Sequence, residues 1–301
     1  MSASISGRTR LAGIVGWPVA HSLSPAMHNA AYQASGLDWV YVPLPVRDDT
    51  DLMRVLSAIR VLPFVGFNVT MPYKRVMLDH CDEVAMLARM AGAVNTVHCV
   101  DGRLIGYNTD GRGLVDSLAS DLKFSPEDRS VAIIGAGGAA GAALVAFVLA
   151  RAKRVSVLNR TLDRAEELIE RVQPHARTTE LVARTLDESA ADIVRGAALV
   201  VNATPVGMSE GDPSPVPPEW LSSDQVVADM IYRAEPTPLV HAARRVGARV
   251  VDGLGMLVSQ GAMSLEIWNE GAQVIAPRDV MVAAASAAMG EAANRGVEST
   301  E

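Results

Sequence analysis

Ser130 to Ala150 reads S-V-A-I-I-G-A-G-G-A-A-G-A-A-L-V-A-F-V-L-A, 21 residues without a charge. A run of that length is long enough for a membrane span, and Gly137 and Gly141 stand at GxxxG spacing. The order of residues argues for something else. Val131 to Ile134 is a short β-branched run that suits a buried parallel strand. Gly135-Ala136-Gly137-Gly138 then interrupts any helix, since each glycine costs about 1 kcal/mol in a helix interior. From Ala139 onward the Ala, Leu, Val and Phe content favours helix. Strand, glycine turn, helix is the phosphate-binding unit of a dinucleotide fold. Gly135 permits the tight turn, Gly137 lets backbone approach a pyrophosphate, and Ala140 keeps helix and strand close. The helix start then offers N–H groups and a positive dipole to phosphate.

A second strand, Arg154 to Leu158, ends in Asn159-Arg160-Thr161, 24 residues after Gly135. A carboxylate here would hold a ribose 2′-hydroxyl. The chain has Asn159 and Arg160 instead, with Arg164 one turn on, and a guanidinium pairs with a 2′-phosphate. These residues favour NADP over NAD.

A chain of 301 residues has room for two domains. The net charge of −7 argues against nucleic acid as a general partner. Cys81 and Cys99 form no framework, which points to a reducing compartment. The six histidines include no HxxxH or HxH pair, so no metal site is expected. Met1 to Arg10 lacks an apolar core, so no signal peptide is expected, and the protein is read as soluble and cytoplasmic.

The first half alternates strand and helix. Strands are expected at Leu11–Gly16, Tyr41–Val46 and Phe64–Val69, with helices from Ser24, capped by that serine, and over Asp48–Arg60. Pro72 fits the first position of a further helix, which would put Lys74 in its first turn. Lys74 there is either an exposed surface cation or a proton carrier facing a cleft. Cys81–Met90 reads as helix, Asp101-Gly102 as a hairpin turn, and Asp110 as the start of a helix. In the second half, strands are expected at Ala197–Val201, Val226–Asp229 and Ala248–Val251. Helices are expected from Asp252 to about Glu270 and over Arg278–Asn294.

Together these segments resemble the shikimate dehydrogenase family. The resemblance is carried by Gly16-Trp17-Pro18-Val19, His21-Ser22-x-Ser24-Pro25-x-x-His28-Asn29, Asn68-Val69-Thr70-x-Pro72-x-Lys74 and Gly92-Ala93-Val94-Asn95-Thr96. It continues through Asn108-Thr109-Asp110, the glycine loop, Asn159-Arg160-Thr161 and Asn202-Ala203-Thr204-Pro205-x-Gly207-Met208. Asp229-x-x-Tyr232 and Gly253-x-x-Met256-Leu257-x-x-Gln260 complete it.

The resemblance implies NADPH-dependent reduction of 3-dehydroshikimate to shikimate in aromatic amino-acid biosynthesis. It implies an α/β substrate-binding domain over 1–113, completed by C-terminal helices in 254–301. A Rossmann-type parallel-sheet domain over 114–253 is expected to bind NADP, with a cleft between the two. It maps substrate binding onto Ser22, Ser24, Thr70, Lys74, Asn95, Asp110, Tyr232 and Gln260, and catalysis onto Lys74 and Asp110. It maps cofactor contacts onto Gly135, Ala136, Gly137, Gly138, Ala139, Asn159, Arg160, Thr161, Arg164, Met230 and Gly253. An NAD-dependent quinate/shikimate dehydrogenase and an aminoshikimate enzyme share these expectations and stay open. So does a regulator that binds metabolite and dinucleotide without turnover, although it would be expected to lack Lys74 or Asp110. A homodimer is compatible with the sequence, which does not set the oligomeric state.

Overall fold

The computed structural model describes residues 5–269 and 274–298, with side chains described to residue 291. Residues 1–4 of the polar start, the expected helix end at Glu270 and residues 299–301 of the C-terminal segment lie outside the described residues. The chain divides into two compact units: Met1–Arg89 with Ala93–Thr109 and Gln260–Glu301, and Met90–Gly92 with Asp110–Ser259.

The first unit contains β1 (Arg10–Gly16), α1 (Ser24–Ala34), β2 (Trp39–Pro45), α2 (Asp49–Ile59), β3 (Phe64–Val69), α3 (Met77–His80) and β4 (Glu83–Val84). α4 (Met86–Ala91) crosses into the second unit's short segment, and β5 (Thr96–Val100) and β6 (Arg103–Tyr107) follow. The sheet order is β2-β1-β3-β5-β6-β4. β1 is parallel to β2 and β3, β5 is antiparallel to β3 and β6, and β4 is parallel to β6. Asp48 caps α2 by accepting from Asp51 N–H at 2.9 Å. Leu52, Leu56 and Ile59 repeat at helical spacing, and all three are buried in one cluster with Val15, Phe67 and Val69. Each such side chain contributes about 1.5–3 kcal/mol on full burial. Asp101 and Gly102 both have positive φ, 48° and 76°, as the two-residue hairpin turn requires.

The second unit runs through α5 (Asp110–Leu122), β7 (Ser130–Ile134), α6 (Gly138–Leu149), β8 (Arg154–Asn159), α7 (Leu162–Val172) and β9 (Glu180–Thr185). It continues with α8 (Ala191–Arg195), β10 (Leu199–Asn202), β11 (Val226–Asp229), α9 (Pro238–Arg245) and β12 (Arg249–Val251). The order β12-β11-β10-β7-β8-β9 is parallel throughout. Val131, Ile133, Val155 and Val157 pack on one face with α6, while Ala132, Ile134, Leu158 and Val200 pack on the other with α9. Both faces are buried, so the strands read as continuous apolar runs. The uncharged stretch that opens the sequence reading is thus a strand, a glycine loop and a helix. Among the described residues no helix is long and apolar enough to cross a membrane. Gly141 serves close packing within this unit, since a Cβ there would overlap the Ala91 carbonyl.

α10 (Gly253–Trp268) begins in the second unit and ends in the first; α11 (Arg278–Glu298) follows in the first. Trp268 Nε1 donates to Val97 O at 2.8 Å, and a side chain at Gly66 would overlap the Trp268 indole. α11 packs on α1.

Three local expectations are corrected, and one strand is new. Ser24 is not the cap of α1: Leu23 holds that position, and Ser22 Oγ accepts the N–H of Ser24 at 3.3 Å. Pro72 does not start a helix, and Lys74 lies in turns that end only where α3 begins at Met77. The reason is non-local: Lys74 O accepts Val94 N–H at 2.7 Å instead of a donor one turn along. Cys81–Met90 is not one helix, because Glu83–Val84 pairs with Ile105–Gly106 and Asp82 Oδ2 accepts Leu104 N–H at 2.7 Å. β9 has no counterpart in the sequence reading. It is an edge strand, half exposed, with charged residues at Glu180 and Arg184.

Candidate active site

In the first unit, the carboxyl ends of β1 and β3 gather polar side chains. Thr70 N–H donates to Val15 O at 2.9 Å, and Trp17 N–H donates to Met71 O at 3.0 Å. A Cβ on Gly16 would overlap the Thr70 side chain, so glycine lets the two strand ends meet. Ser22 is half-buried and Ser24 buried, linked as described above. Val94 N–H fixes the Lys74 carbonyl, which sets the Lys74 backbone against the residue that precedes Asn95.

Asn95 is 2% exposed and is held at both ends of its amide. Oδ1 accepts Thr109 N–H at 2.8 Å and the Thr96 hydroxyl at 3.1 Å. Nδ2 donates to Thr109 Oγ1 at 2.9 Å and to Gln260 Oε1 at 3.3 Å. Asn95 and Gln260, 165 residues apart, therefore form one polar group. Such a pair of buried amides suits a ring carrying several hydroxyls, because unpaired polar groups penalise an analogue that lacks them. Thr109, absent from the expected site residues, fixes both ends of Asn95; its only signal was its place in Asn108-Thr109-Asp110. Asp110 belongs to the second unit, where it opens α5 and is 4% exposed.

In the second unit, the chain leaves β7 through Gly135, whose φ of +109° excludes other residues. A Cβ there would also lie 2.8 Å from Thr204 Cγ2. Gly137 precedes α6 with extended backbone and is exposed, and a Cβ on it would meet nothing within 4 Å. The space over Gly137 and the start of α6 is therefore open to a ligand, and α6 directs backbone N–H groups into it. β7 lies beside β10 and β8, so this end is where strand order reverses, the position at which parallel sheets bind nucleotides.

Arg160, Thr161 and Arg164 are exposed beyond β8, while Asn159 Nδ2 donates to Thr161 O at 2.8 Å and shapes that turn. Two guanidiniums with no carboxylate at Asn159 fit a 2′-phosphorylated dinucleotide. On the other side of β7, Asn202 Nδ2 donates to Asp229 Oδ1 at 3.0 Å, and its Oδ1 accepts Thr204 N–H at 3.0 Å. Asp229 also accepts Ile231 N–H at 3.1 Å and the Thr237 hydroxyl at 2.6 Å. Burial pushes the Asp229 carboxyl above its ordinary range, against these hydrogen bonds. The turn so fixed carries Met230 and half-buried Tyr232. Gly253 N–H donates to Ile231 O at 3.1 Å, and a Cβ on Gly253 would lie 2.6 Å from Met230 O. Met230 and Gly253 are thus neighbours. Among the described residues no group of three or more His, Cys, Asp or Glu is arranged to hold a metal ion.

Residues 14–97 match the family model for the shikimate dehydrogenase substrate binding domain, and residues 117–204 match that for shikimate / quinate 5-dehydrogenase. The NADP(+)-dependent shikimate dehydrogenase of Geobacter metallireducens is 44% identical over 266 residues, covering 88% of this chain and 93% of its own. The chain belongs to the shikimate dehydrogenase family. Two solved members of this fold bear on the ligands. Shikimate 5-dehydrogenase from Thermus thermophilus, solved with NADP(H) and shikimate, is 34% identical with a TM-score of 0.82, over 93% of this chain and 99% of that one. Quinate dehydrogenase from Corynebacterium glutamicum, solved with NAD, is 29% identical with a TM-score of 0.81, over 92% and 98%. The family's two-part α/β architecture, with one wholly parallel sheet, is the one this chain adopts.

Proposed function

We propose that the protein reduces 3-dehydroshikimate to shikimate, with NADPH as hydride donor, in aromatic amino-acid biosynthesis. The observation that carries this reading is the exposed Arg160 and Arg164 beyond β8, in a chain 44% identical to an NADP(+)-dependent shikimate dehydrogenase. Gly135, Ala136, Gly137, Gly138 and Ala139 would hold the dinucleotide pyrophosphate at the start of α6. Asn159, Arg160, Thr161 and Arg164 would hold its 2′-phosphate, and Met230 and Gly253 would flank the nicotinamide end. When bound, NADPH supplies the hydride.

Every other step belongs to the chain's own side chains. Ser22 and Ser24 donate hydroxyl hydrogens to the substrate carboxylate. Thr70, Asn95, Tyr232 and Gln260 hydrogen-bond the ring oxygens and orient its carbonyl. Lys74 gives a proton to the oxygen that becomes the new hydroxyl, which avoids a free alkoxide. Asp110 accepts from a substrate hydroxyl and fixes the ring about that bond. Cys81 and Cys99 are both unbridged, and burial pushes each thiol up to about 12, which fits residence in the cytoplasm. A homodimer is the assembly to look for by light scattering.

The test is loss of nicotinamide absorbance in four mixtures, pairing NADPH or NADH with 3-dehydroshikimate or 3-dehydroquinate. Turnover is expected chiefly with NADPH and 3-dehydroshikimate. The likeness to a quinate dehydrogenase solved with NAD favours a second reading, in which NADH and 3-dehydroquinate are the better pair.

A further inference from the structure

Asn68 is the penultimate residue of β3, 5% exposed, and has no place in the proposed chemistry. Its carboxamide touches three elements of the first unit and the loop before β5. Oδ1 accepts the Tyr41 hydroxyl of β2 at 2.9 Å. Nδ2 lies 2.9 Å from Ser264 Oγ of α10, 3.1 Å from Thr96 Oγ1 of β5 and 3.2 Å from the Asn95 carbonyl.

The hydrogens in this group can be counted. The amide has two N–H hydrogens, so Ser264 and Thr96 each accept one, with the Asn95 carbonyl sharing. Each hydroxyl then has its single hydrogen left to donate. Ser264 Oγ gives its hydrogen to Gln260 O at 3.0 Å, one turn earlier on α10. Thr96 Oγ1 gives its hydrogen to Asn95 Oδ1 at 3.1 Å. Thr109 N–H on the same Oδ1 makes it the acceptor end of Asn95, the Thr96 hydroxyl reinforces this, and Nδ2 as the donor end engages Gln260 Oε1. One direction of hydrogen bonding runs from Tyr41 through Asn68 and Thr96 to the Asn95 amide and on to Gln260 Oε1, while the Ser264 branch ends on the Gln260 backbone carbonyl.

We propose that Asn68 is a positioning residue that, through the Thr96 hydroxyl, braces the Asn95 amide, and Gln260 through it, toward the substrate. The inference rests on the proposed function, because those two amides are the substrate-binding groups it aligns. Without the Asn68 amide, the Thr96 hydroxyl is free to turn its hydrogen to Ser264 Oγ across their 2.9 Å contact. Asn95 Oδ1 then loses its Thr96 donor while keeping the Thr109 N–H, and the amide is braced less firmly against Gln260 Oε1.

The test uses the full-length protein and steady-state kinetics. Asn68→Ala is expected to lower kcat/KM for 3-dehydroshikimate roughly 10- to 100-fold, the range that follows from losing a buried hydrogen-bond partner. KM for NADPH stays within about twofold, since that site lies in the other unit's residues. In an Asn95→Ala background the same substitution adds less than about threefold, because residues acting through one another are not additive. Thr96→Val reproduces part of the loss and Thr96→Ser restores it, and this pair decides the matter if Asn68→Ala does not fold. Equal losses for both ligands, full additivity with Asn95→Ala, or a Thr96→Val enzyme as active as the parent overturns the inference. If the parent protein itself does not turn over 3-dehydroshikimate, the proposed function fails and the inference falls with it.

Discussion

Thr109 N–H donates to Asn95 Oδ1 at 2.8 Å while Asn95 Nδ2 donates to Thr109 Oγ1 at 2.9 Å. This two-point clamp leaves the buried amide one orientation. Asn95→Asp keeps the shape but removes both N–H hydrogens, and it sets a carboxylate oxygen against Gln260 Oε1. The Thr109 hydroxyl can rotate to donate, whereas Gln260 must turn its amide over. The expected result is a fall of roughly 100-fold in kcat/KM for 3-dehydroshikimate, with KM for NADPH nearly unchanged. Equal weakening of both substrates would show that Asn95 serves folding alone.

The glycine loop separates two roles of glycine. Gly135 has a φ of +109° and no room beside Thr204, whereas Gly137 has extended backbone and open space. Gly135→Ala should therefore cost stability, on the order of 1–3 kcal/mol, visible as a lower melting temperature. Gly137→Ala should melt like the parent but raise KM for NADPH, because its methyl occupies the space a phosphate needs. A Gly137→Ala enzyme with normal NADPH affinity would remove the loop from dinucleotide binding.

The loop was legible because its signal is local: a β-branched run, three glycines in four residues, then alanine-rich helix. The hairpin at Asp101-Gly102 and the helix periodicity of Leu52, Leu56 and Ile59 were legible for the same reason. What escaped depends on distant partners. The turn at Lys74 is fixed by Val94 N–H, and no propensity at Pro72 reports that bond. Asn68 stands out as a motif residue, but its bond to Ser264, 196 residues away, has no local signal. β9 gave only a weak alternation, since a half-exposed edge strand has little apolar pattern to show.

Arg160 and Arg164 are exposed, so neutralising them should leave stability intact. Arg160→Gln should raise KM for NADPH roughly 10- to 100-fold through loss of a charge-assisted bond to the 2′-phosphate. The KM for NADH should move little. Added salt should weaken NADPH binding in the parent more than in the variant, as screening acts on exposed charges. Parallel changes for both coenzymes would mean that Arg160 does not read the 2′-phosphate.

Lys74→Ala tests the proton step. Positioned general acids contribute roughly 10²- to 10⁴-fold, so kcat should fall within that range. KM for 3-dehydroshikimate should change less, and the Val94 N–H bond to the Lys74 carbonyl is kept in the variant. Intact kcat with a large rise in KM would make Lys74 a binding group only.

His28 predicts how the fold responds to acid. It is fully buried, stacked on Tyr41 with ring centroids 4.4 Å apart and planes 2° from parallel. Neither ring nitrogen has a hydrogen-bond partner among the described residues. Burial lowers its pKa from 6.5 to about 3, so the folded protein keeps the ring neutral. The unfolded chain takes up a proton near pH 6.5 that the folded chain refuses. The sign follows directly: the stability attached to His28 is complete above pH 6.5 and is lost as pH falls toward 3. Each pH unit within that window costs about 1.4 kcal/mol for one proton. His28→Phe keeps the stacked ring and removes the titration. Urea unfolding at pH 7.5 and at pH 5.5 gives the contrast. The parent should lose about 1.4 kcal/mol more than the variant, from the unit between 6.5 and 5.5. Equal losses in the two proteins would mean that the imidazole is protonated in the folded state, and the neutral stack would have to be abandoned.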